Sequence, residues 1–375
     1  MKKIKIAQIL DSVGGVEVYL RLITENMDSN SFENIIIHKK NENKKGYLDN
    51  SQGLISEFDI DIQREIHVIK DLKAIFKTVK ILKKEKPDLI HAHSAKGGII
   101  ARAASLFYNV KVLHTPHAYS YLSANNKLKA RLFLSLEKLF KHFNSYLLAT
   151  SESERNRGIN EVGYKEEKAL LLNNSILPIP KKNIDLSFNL KENYICTVAR
   201  PSFQKNLEMM INVVKKLKET QPDINLIILG VGEYSPNKEV IKGMIVDFKL
   251  ENNVQLIEWM ERDMVFEVIS KSKLYISTSR YEGLPYSVIE SLALSKACVV
   301  TNCDGNRDLV KNNYNGFVVE HEDVEFMAKK ISYLLDNSKI REKFEKKSLE
   351  LFEANFNLNV NIKNLEKFYK TFCKK

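Results

Sequence analysis

The fold is decided by three consecutive segments near the start of the chain, IKIAQIL (residues 4–10), SVGG (residues 12–15) and VEVYLRLITENM (residues 16–27). The first is a short apolar run, which is typical of a strand buried in a sheet. The last has apolar residues at helical spacing. A buried strand, a turn with two glycines and a helix together predict the start of a doubly wound α/β domain.

Further short apolar runs follow in two groups, with amphipathic helical patterns between most of them. In the first group we predict strands over residues 34–38, 88–92, 111–114 and 145–149. The second group begins after the proline-containing stretch 177–182, and we predict strands there over residues 194–199, 225–230, 254–257, 274–278 and 297–301. Strands that alternate with helices indicate a parallel sheet. The chain therefore repeats one architecture twice.

The length of 375 residues also favours two domains, because single hydrophobic cores stop growing near ~250–300 residues. We expect an N-terminal domain over residues 1–180 and a second domain over residues 190–352. A C-terminal segment, 355–375, contains an amphipathic helix over residues 358–372 that can return to the N-terminal domain. Doubly wound domains bind ligands outside the carboxyl ends of their strands. The predicted site is therefore the cleft between the two domains.

The composition excludes several classes of protein. Hydrophobic residues make up 44% and charged residues 28% of the chain, which is typical of a globular protein and not of a disordered one. The sequence contains no uninterrupted apolar run of ~18 residues and no signal-peptide pattern, so we expect a cytoplasmic protein. The cysteines are Cys196, Cys298, Cys303 and Cys373. They form no Cys-x-x-Cys pair, and we expect them to be reduced and to bind no zinc.

The net charge of +11 is concentrated in one part of the chain. Residues 62–142 contain 16 Lys and Arg but 5 Asp and Glu, and the remainder holds 42 of each. A local basic patch favours an anionic surface as a partner. Nucleic acid would explain the charge equally well, but no recognised nucleic-acid-binding motif accompanies it.

The strongest candidate for a functional site is SRYEGLPYSVIE (residues 279–290), directly after a predicted strand. It carries Glu282 in a loop and Glu290 about one turn into the next helix. An anion at the N-terminus of that helix would meet backbone N–H groups and the positive end of the helix dipole. Two glutamates at this spacing are usually solvated. Carboxylates among Leu, Val and Ile need polar partners, however, and sugar hydroxyls would satisfy them.

Two further candidate segments follow predicted strands. The segment VARPSFQKN (residues 198–206) places Arg200 and Lys205 on either side of a proline-containing turn, where both can bind one diphosphate. Gly14 and Gly15 follow the first strand, and glycines there let the backbone approach a ligand closely at a helix start. This is not the Gly-x-Gly-x-x-Gly fingerprint, which counts against a nicotinamide enzyme.

Histidines cluster at or just past the ends of two predicted strands, at His91, His93, His114 and His117. Each alone is more often structural, and no carboxylate accompanies them, so we expect no metal there. We expect His117, in the turn after Thr115-Pro116, to lie in the cleft. Asp59-Ile60-Asp61 matches the Asp-x-Asp motif by which some enzymes hold a divalent ion beside a nucleotide sugar. We interpret it as a loop.

Taken in order, these segments resemble the family 4 glycosyltransferases, the retaining, nucleotide-sugar-dependent enzymes of the GT-B fold. The resemblance rests on GGVE (14–17), TPH (115–117), ARPSFQKN (199–206), the Glu282 to Glu290 element, GNRD (305–308) and NGFVV (315–319). It covers nearly the whole chain. It implies two facing Rossmann-like domains with a central cleft and a C-terminal crossover helix.

The resemblance also implies roles for residues at the phosphates. Arg200 and Lys205 would bind the diphosphate and neutralise the departing nucleoside diphosphate. Gly14 and Gly15 would close on the phosphates from the other domain. Such enzymes need no metal and no other cofactor, because Arg, Lys and a helix terminus replace the cation.

The remaining roles concern the ribose and the donor sugar. By the same resemblance, Glu290 would hold the ribose hydroxyls and Glu282 the hydroxyls of the donor sugar. The backbone N–H groups of Gly283 and Leu284 would assist Glu282, and His117 would lie near the anomeric end of the donor. The resemblance further implies that retention proceeds by front-face displacement, with a phosphate oxygen taking the acceptor's proton.

The stretch TPHAYS (residues 115–120) most resembles bacterial enzymes that extend lipid-linked capsule, exopolysaccharide or O-antigen units. The implied function is transfer of a hexose from a nucleoside diphosphate sugar, a UDP-sugar, to a lipid-linked or oligosaccharide acceptor. The alternatives are a sugar-nucleotide epimerase on a similar fold and an inactive relative that binds a membrane assembly.

The basic patch predicts a peripheral protein on the inner face of the cell membrane. Two helical segments of the patch combine lysines with apolar residues such as Leu72, Phe76, Leu128 and Leu132. Burial of one helix face on the sheet would explain those apolar residues. It does not explain why nearly all the charged residues on the polar faces are positive. The acceptor or membrane side is predicted to include Glu17, Lys73, Lys77, Lys80, Lys127 and Arg131.

Overall fold

A computed structural model describes the chain except for residues 1, 12–13, 41–44, 64–66, 125, 181, 183, 185, 187–189, 233–234 and 374–375. Ser12 and Val13 of the predicted first turn, and Lys181 of the predicted inter-domain stretch, therefore lie outside the described residues. The structure divides into two compact units. Unit 1 comprises residues 1–174 and 358–375, and unit 2 comprises residues 175–357.

Unit 1 contains a parallel sheet with helices between its strands. Its strands are β1 Ile4–Ile9, β2 Phe32–His38, β3 Ser56–Asp59, β4 Leu89–His93, β5 Val112–Thr115, β6 Ser145–Ala149 and β7 Ala169–Leu171. Its helices before the chain enters unit 2 are α1 Gly15–Asn26, α2 Val68–Glu85, α3 Ser94–Ser105, α4 Lys127–Phe140 and α5 Glu152–Arg157. Among the described residues the strand order is β3-β2-β1-β4-β5-β6-β7, which reverses between β1 and β4 as in a Rossmann fold.

Unit 2 repeats this arrangement. Its strands are β8 Tyr194–Val198, β9 Asn225–Leu229, β10 Val254–Ile257, β11 Leu274–Ser277, β12 Cys298–Thr301 and β13 Gly316–Val319. Its helices are α6 Leu207–Lys218, α7 Lys238–Asp247, α8 Arg262–Lys271, α9 Tyr286–Ala293, α10 Asn306–Leu309, α11 Val324–Asp336 and α12 Ser338–Asn355. The strand order in the described part is β10-β9-β8-β11-β12-β13, with its reversal between β8 and β11. All the strands pair in parallel.

The last helix, α13 Leu358–Cys373, belongs to unit 1. Its apolar face is buried through Leu358, Ile362, Leu365 and Tyr369, and it packs on α1, β1 and β4. The sequence left open which domain receives this helix. Burial of that face against the sheet of unit 1 decides the question, because an amphipathic helix is stable where its apolar stripe leaves water.

Three strands of the described residues were not predicted, because β3 has no apolar run and the apolar runs within β7 and β13 are only three residues long. The strand β3 has the sequence SEFD, β7 has three residues, and β13 begins with a glycine. The prediction of a loop for Asp59-Ile60-Asp61 is wrong for Asp59, which ends β3 and pairs in register with His38. Backbone pairing with β2 therefore formed a strand where side-chain pattern gave no signal.

The apolar residues of the basic helices are not all buried. Leu72 and Phe76 of α2 remain 49% and 57% exposed, and Leu128 and Leu132 of α4 remain 78% and 52% exposed. The explanation that both helices bury all their apolar residues on the sheet is therefore wrong, since α2 packs mainly on α3, and α4 packs mainly on residues 120–123 and 158–162. No helix in the described part of the chain is both long enough and apolar enough to cross a bilayer.

All four cysteines are free thiols, as predicted. Cys196, Cys298 and Cys303 are buried, and burial raises the pKa of each of these thiols to about 12. They are therefore protonated at neutral pH and behave as small apolar side chains.

Candidate active site

The strongest site candidates of unit 2 lie at the point where its strand order reverses. Arg200 and Lys205 follow β8, and Glu282 follows β11. Since β8 and β11 are adjacent parallel strands, their carboxyl ends lie at the same edge of the sheet. This is the position at which doubly wound sheets bind ligands.

The two loops are joined by hydrogen bonds. The Thr278 hydroxyl lies 3.0 Å and 2.9 Å from the carbonyl oxygens of Lys205 and Asn206. The backbone N–H of Arg280 donates to the Gln204 carbonyl at 2.8 Å, and its guanidinium donates to the Phe203 carbonyl at 2.8 Å. These bonds fix the loop after β8 against the loop after β11.

Lys205 and Glu282 form an ion pair in this arrangement. Lys205 Nζ lies 2.6 Å from Glu282 Oε1, and the Gln204 amide donates to Glu282 Oε2 at 3.2 Å. Glu282 is only 6% exposed, so its carboxylate is hydrogen-bonded by Lys205 and Gln204 instead of by water. Arg200 is exposed and forms no ion pair with any described residue.

Glu290 has a different partner. It is the fifth residue of α9, is 8% exposed, and accepts a 2.6 Å bond from Arg262 Nη2 at the start of α8. Burial raises the pKa of Glu290, and the charge and hydrogen bond of Arg262 oppose that rise. Each of the two predicted glutamates therefore pairs with a cation of its own. The Arg262 guanidinium contacts only one of the two carboxylate oxygens of Glu290.

The turn Gly283-Leu284-Pro285 connects Glu282 to α9 and is held in place by a neighbouring loop. Gly305, after β12, approaches so closely that a Cβ on it would lie 2.5 Å from the Gly283 carbonyl oxygen. Gly305 also has φ of +76°, a conformation that side chains disfavour. The GNRD motif therefore contributes a packing contact that shapes the turn before α9.

The predicted glycines of unit 1 lie at the corresponding reversal of its own sheet, between β1 and β4. Gly14 follows β1 with φ of +59° and open space where a Cβ would be, and Gly15 begins α1. Glu17, in the first turn of α1, pairs with Arg21 at 3.1 Å.

The five predicted basic residues are all exposed on α2 and α4, namely Lys73, Lys77, Lys80, Lys127 and Arg131.

His117 follows β5 in a backbone conformation that is rare for residues with a side chain. His117 and Ala118 have φ of +54° and +84°. The Glu154 carboxylate, 3% exposed, accepts the Ala118 N–H at 2.7 Å and the Thr150 N–H at 2.7 Å. Backbone strain of this kind persists where surrounding bonds enforce it, and it is concentrated at functional sites.

Several of these contacts were not predicted from the sequence. Gln204 stands within a quoted motif, but Arg262 and Glu154 carried no sequence signal, because Arg262 binds Glu290, 28 residues away, and Glu154 binds Ala118, 36 residues away. Among the described residues, no group of three or more His, Cys, Asp and Glu side chains has an arrangement suited to a metal ion.

Two family models together match nearly all of the chain. Residues 13–176 match the model described as Glycosyltransferase Family 4, and residues 179–350 match the model described as Glycosyl transferases group 1. The chain belongs to the family 4 glycosyltransferases. This confirms the resemblance that the motifs predicted, and it applies to both units.

The chain is also similar to curated relatives and to solved structures. The chain is 29% identical over 86% of its length to the Escherichia coli UDP-Gal:alpha-D-GlcNAc-diphosphoundecaprenol alpha-1,3-galactosyltransferase, covering 86% of that protein. It is 26% identical over 84% of its length to the Staphylococcus aureus capsular polysaccharide glycosyltransferase CapM, covering 85% of it. Anabaena HepE, solved with UDP and glucose, superposes with a TM-score of 0.77 at 15% identity, over 99% of this chain and 100% of that one. The fold is therefore GT-B, as predicted.

Proposed function

We propose that this family 4 glycosyltransferase moves a hexose, with retention, from a UDP-sugar to a lipid-linked or oligosaccharide acceptor of a bacterial capsule, exopolysaccharide or O-antigen. The Lys205–Glu282 pair at the ends of β8 and β11 carries this proposal. A cation suited to a phosphate and a buried carboxylate suited to sugar hydroxyls lie side by side there, as a nucleotide sugar requires. The Escherichia coli relative is named for a UDP-sugar donor and a lipid diphosphate acceptor.

In the proposed reaction the bond between the anomeric carbon and the diphosphate oxygen breaks, and the acceptor's hydroxyl oxygen bonds to that carbon on the same face. The acceptor's proton passes to an oxygen of the departing diphosphate. Arg200 and Lys205 neutralise the charge that develops on the leaving group, which is the electrostatic role that usually contributes most to catalysis. No protein nucleophile, metal or other cofactor takes part.

The donor is tested with a panel of nucleotide sugars. We expect a UDP-sugar to raise the melting temperature of the protein, because a ligand that binds only the folded state stabilises it by mass action. With a lipid-diphosphate sugar acceptor present, the same donor should yield a glycosylated product whose anomeric configuration matches the donor's. Conversion of the donor without acceptor would indicate an epimerase instead, and binding without any product would indicate an inactive relative.

The same assay tests the absence of a metal. Transfer should continue in excess EDTA, because Lys205 and Arg200 are proposed to do the work of a divalent cation. Loss of transfer in EDTA that manganese restores would contradict this, and would direct attention to Asp59-Ile60-Asp61 and the histidines of unit 1.

The two glutamates should separate nucleotide binding from sugar transfer. Glu290→Gln should weaken nucleoside diphosphate binding by ~1.5–3 kcal/mol, the size of a hydrogen bond to a charged group. Glu282→Gln should instead lower the rate of transfer and leave the affinity for the free nucleotide near that of the wild type. Titration calorimetry measures both affinities.

Glu267→Gln is a matched control for these two substitutions. Glu267 is a buried glutamate of α8, 5% exposed, and it pairs with Lys271 at 2.8 Å. Its replacement should change neither affinity nor rate. Equal losses of free nucleotide binding in Glu282→Gln and Glu290→Gln would contradict the division of roles.

We also propose that unit 1 docks on the anionic inner face of the cell membrane, where a lipid-linked acceptor is available. The surface of α2 combines exposed lysines with exposed Leu72 and Phe76, and the Phe76 ring lies 6.3 Å from that of Phe107 after α3. Phe107 is itself 56% exposed. Basic residues would attract anionic lipids at ~1 kcal/mol each, while the apolar side chains enter the interface.

Vesicle co-sedimentation tests this docking. Binding should require anionic lipid and fall steeply between low and physiological salt, because exposed charges are screened. Replacement of Lys73, Lys77, Lys80, Lys127 and Arg131 by Ser should weaken it. The matched control replaces five exposed lysines of unit 2 by Ser, namely Lys242, Lys249, Lys271, Lys339 and Lys343. Equal binding to neutral vesicles, or equal losses in the two variants, would contradict the proposal.

A further inference from the structure

A chain of buried polar side chains lies directly behind His117. Gln8 of β1, His91 and His93 of β4, and Tyr369 of α13 are each 0% exposed. His117 Nε2 lies 3.3 Å from His93 Nδ1, and His93 Nε2 lies 2.9 Å from Gln8 Oε1. All these residues belong to unit 1, and the strands, the turn after β5 and the C-terminal helix each contribute at least one.

The amide of Gln8 has one arrangement that satisfies its neighbours. Its Nε2 group lies 2.9 Å from Asn34 Oδ1 and 3.3 Å from Tyr369 Oη. The Asn34 amide is oriented in turn by its Nδ2 group, which faces the Met27 sulfur at 3.8 Å. An amide N–H donates and a carbonyl oxygen accepts. Gln8 therefore donates to Asn34 and Tyr369 and presents its Oε1 acceptor to His93.

This arrangement fixes the proton of each histidine in the chain. His93 must carry its proton on Nε2 to donate to Gln8, so its Nδ1 accepts. His117 must then carry its proton on Nε2 to donate to His93. Along the other branch, Tyr369 donates to His91 Nδ1 at 2.7 Å, and His91 Nε2 donates to the Thr115 hydroxyl at 2.8 Å. The Thr115 hydroxyl in turn donates a hydrogen bond to the Leu148 carbonyl oxygen at 2.8 Å.

We propose that Gln8 is a positioning residue that holds His117 in its Nε2–H tautomer, so that His117 Nδ1 accepts a hydrogen bond from a hydroxyl of the donor sugar. The proposal rests on the proposed function, in which His117 lies near the sugar of the donor. Nδ1 is the ring nitrogen of His117 that has no protein partner among the described residues. A lone pair in this position attracts a hydroxyl and repels a phosphate oxygen, which assigns His117 to the sugar and not to the diphosphate.

The surroundings of the histidines keep them neutral, as this assignment requires. Burial lowers the pKa of His91 and of His117 to about 3, and it lowers that of His93 well below its usual value. The aromatic ring of Tyr19, from α1, covers the cluster, with its centroid 5.4 Å from that of His93 and 4.9 Å from that of His117. The fixed backbone of His117 and Ala118 holds the imidazole ring of His117 against that of His93.

Nitrogen NMR of histidine-labelled protein tests the proposal without relying on activity. In the wild type, the His117 signals should show a protonated Nε2 and an unprotonated Nδ1. Gln8→Met removes the acceptor for His93, so we expect His117 to become a mixture of tautomers. Gln8→Glu keeps an acceptor at that position and should preserve the Nε2–H form. His38, whose Nε2 is held at 2.8 Å by Glu57, should keep its tautomer in all variants and reports that unit 1 remains folded.

Donor binding supplies the second measurement. Gln8→Met should weaken binding of the UDP-sugar about five- to tenfold, the loss of roughly one hydrogen bond, while binding of free UDP stays unchanged. A wild-type His117 protonated on Nδ1, or a tautomer in Gln8→Met identical to the wild type, would overturn the proposal. If the wild-type protein bound no nucleotide sugar, the proposed function would fail. The tautomer measurement would still decide whether Gln8 sets the proton position of His117.

Discussion

Replacement of Lys205 by Ala is expected to lower kcat by ~10²–10³-fold, the range found when a single donor to a developing negative charge is removed. Lys205 follows β8, and its ammonium is the cation nearest to Glu282, at 2.6 Å. In the proposed reaction this ammonium also meets the departing diphosphate. Removal of its charge should therefore slow bond breaking far more than it weakens donor binding. Initial-rate measurements at saturating donor give the value.

Stability must be separated from catalysis in this experiment, because Lys205 also pairs with a buried carboxylate. Lys205→Gln serves this purpose, since its amide can still donate to Glu282 but carries no charge for the phosphate. We expect Lys205→Gln to melt close to the wild type and to lose kcat as Lys205→Ala does. Lys242→Ala is the matched control, because Lys242 is an exposed lysine of the same unit that pairs with Glu239 at 3.0 Å. A near wild-type kcat in Lys205→Gln would contradict the proposal that Lys205 neutralises the departing diphosphate.

Replacement of Arg102 by Met is expected to destabilise unit 1 by ~3–5 kcal/mol, the cost of leaving a buried charge without its partner. Arg102 of α3 is 0% exposed, and Glu137 of α4 is 2% exposed. Arg102 Nη1 donates to Glu137 Oε2 at 2.9 Å, and Arg102 Nε donates to the Gly98 carbonyl at 2.9 Å. Without the guanidinium, the Glu137 carboxylate must take up a proton or draw in water.

The double variant Arg102→Met, Glu137→Leu should recover most of this loss, because neither charge is then buried. Lys165→Met is the control, since Lys165 and Glu167 form an exposed pair at 4.0 Å, and such pairs contribute ~0–1 kcal/mol. Hydrogen exchange of peptides from β5 and β6 measures the free energy of unfolding of unit 1. The single tryptophan of the chain, Trp259, reports on unit 2 by its fluorescence. If the double variant lost as much stability as Arg102→Met, the unpaired Glu137 carboxylate could not be the cause of the loss.

Much of the fold could be predicted because its elements carry local signals. The predicted strand over residues 145–149 matches β6, and the one over residues 254–257 matches β10. Most of the other predicted strands differ from the observed ones by a residue at one or both ends. Strands buried on both faces are nearly continuous apolar runs, so the sequence displays them directly. The edge strand β3 escaped prediction because half of its residues are charged.

The site was predicted in part for the same reason. Loops after strands are the ligand-binding positions of this fold, so motif and place together selected Arg200, Lys205, Glu282 and Glu290. Their roles toward a substrate remain predictions. The sequence did not indicate that Glu282 pairs with Lys205, or that Glu290 pairs with Arg262.

The sequence by itself determined the two α/β units, the positions of most of their strands, the family and the loops that carry the candidate site. The tertiary structure alone decided which unit receives α13, which cation each glutamate faces, and how Gln8 and Tyr369, 361 residues apart, orient the histidines behind His117. The physical reason is that hydrophobic periodicity and turn residues act within a few residues of the chain. The partners of buried polar groups are set only when distant segments pack together and exclude water.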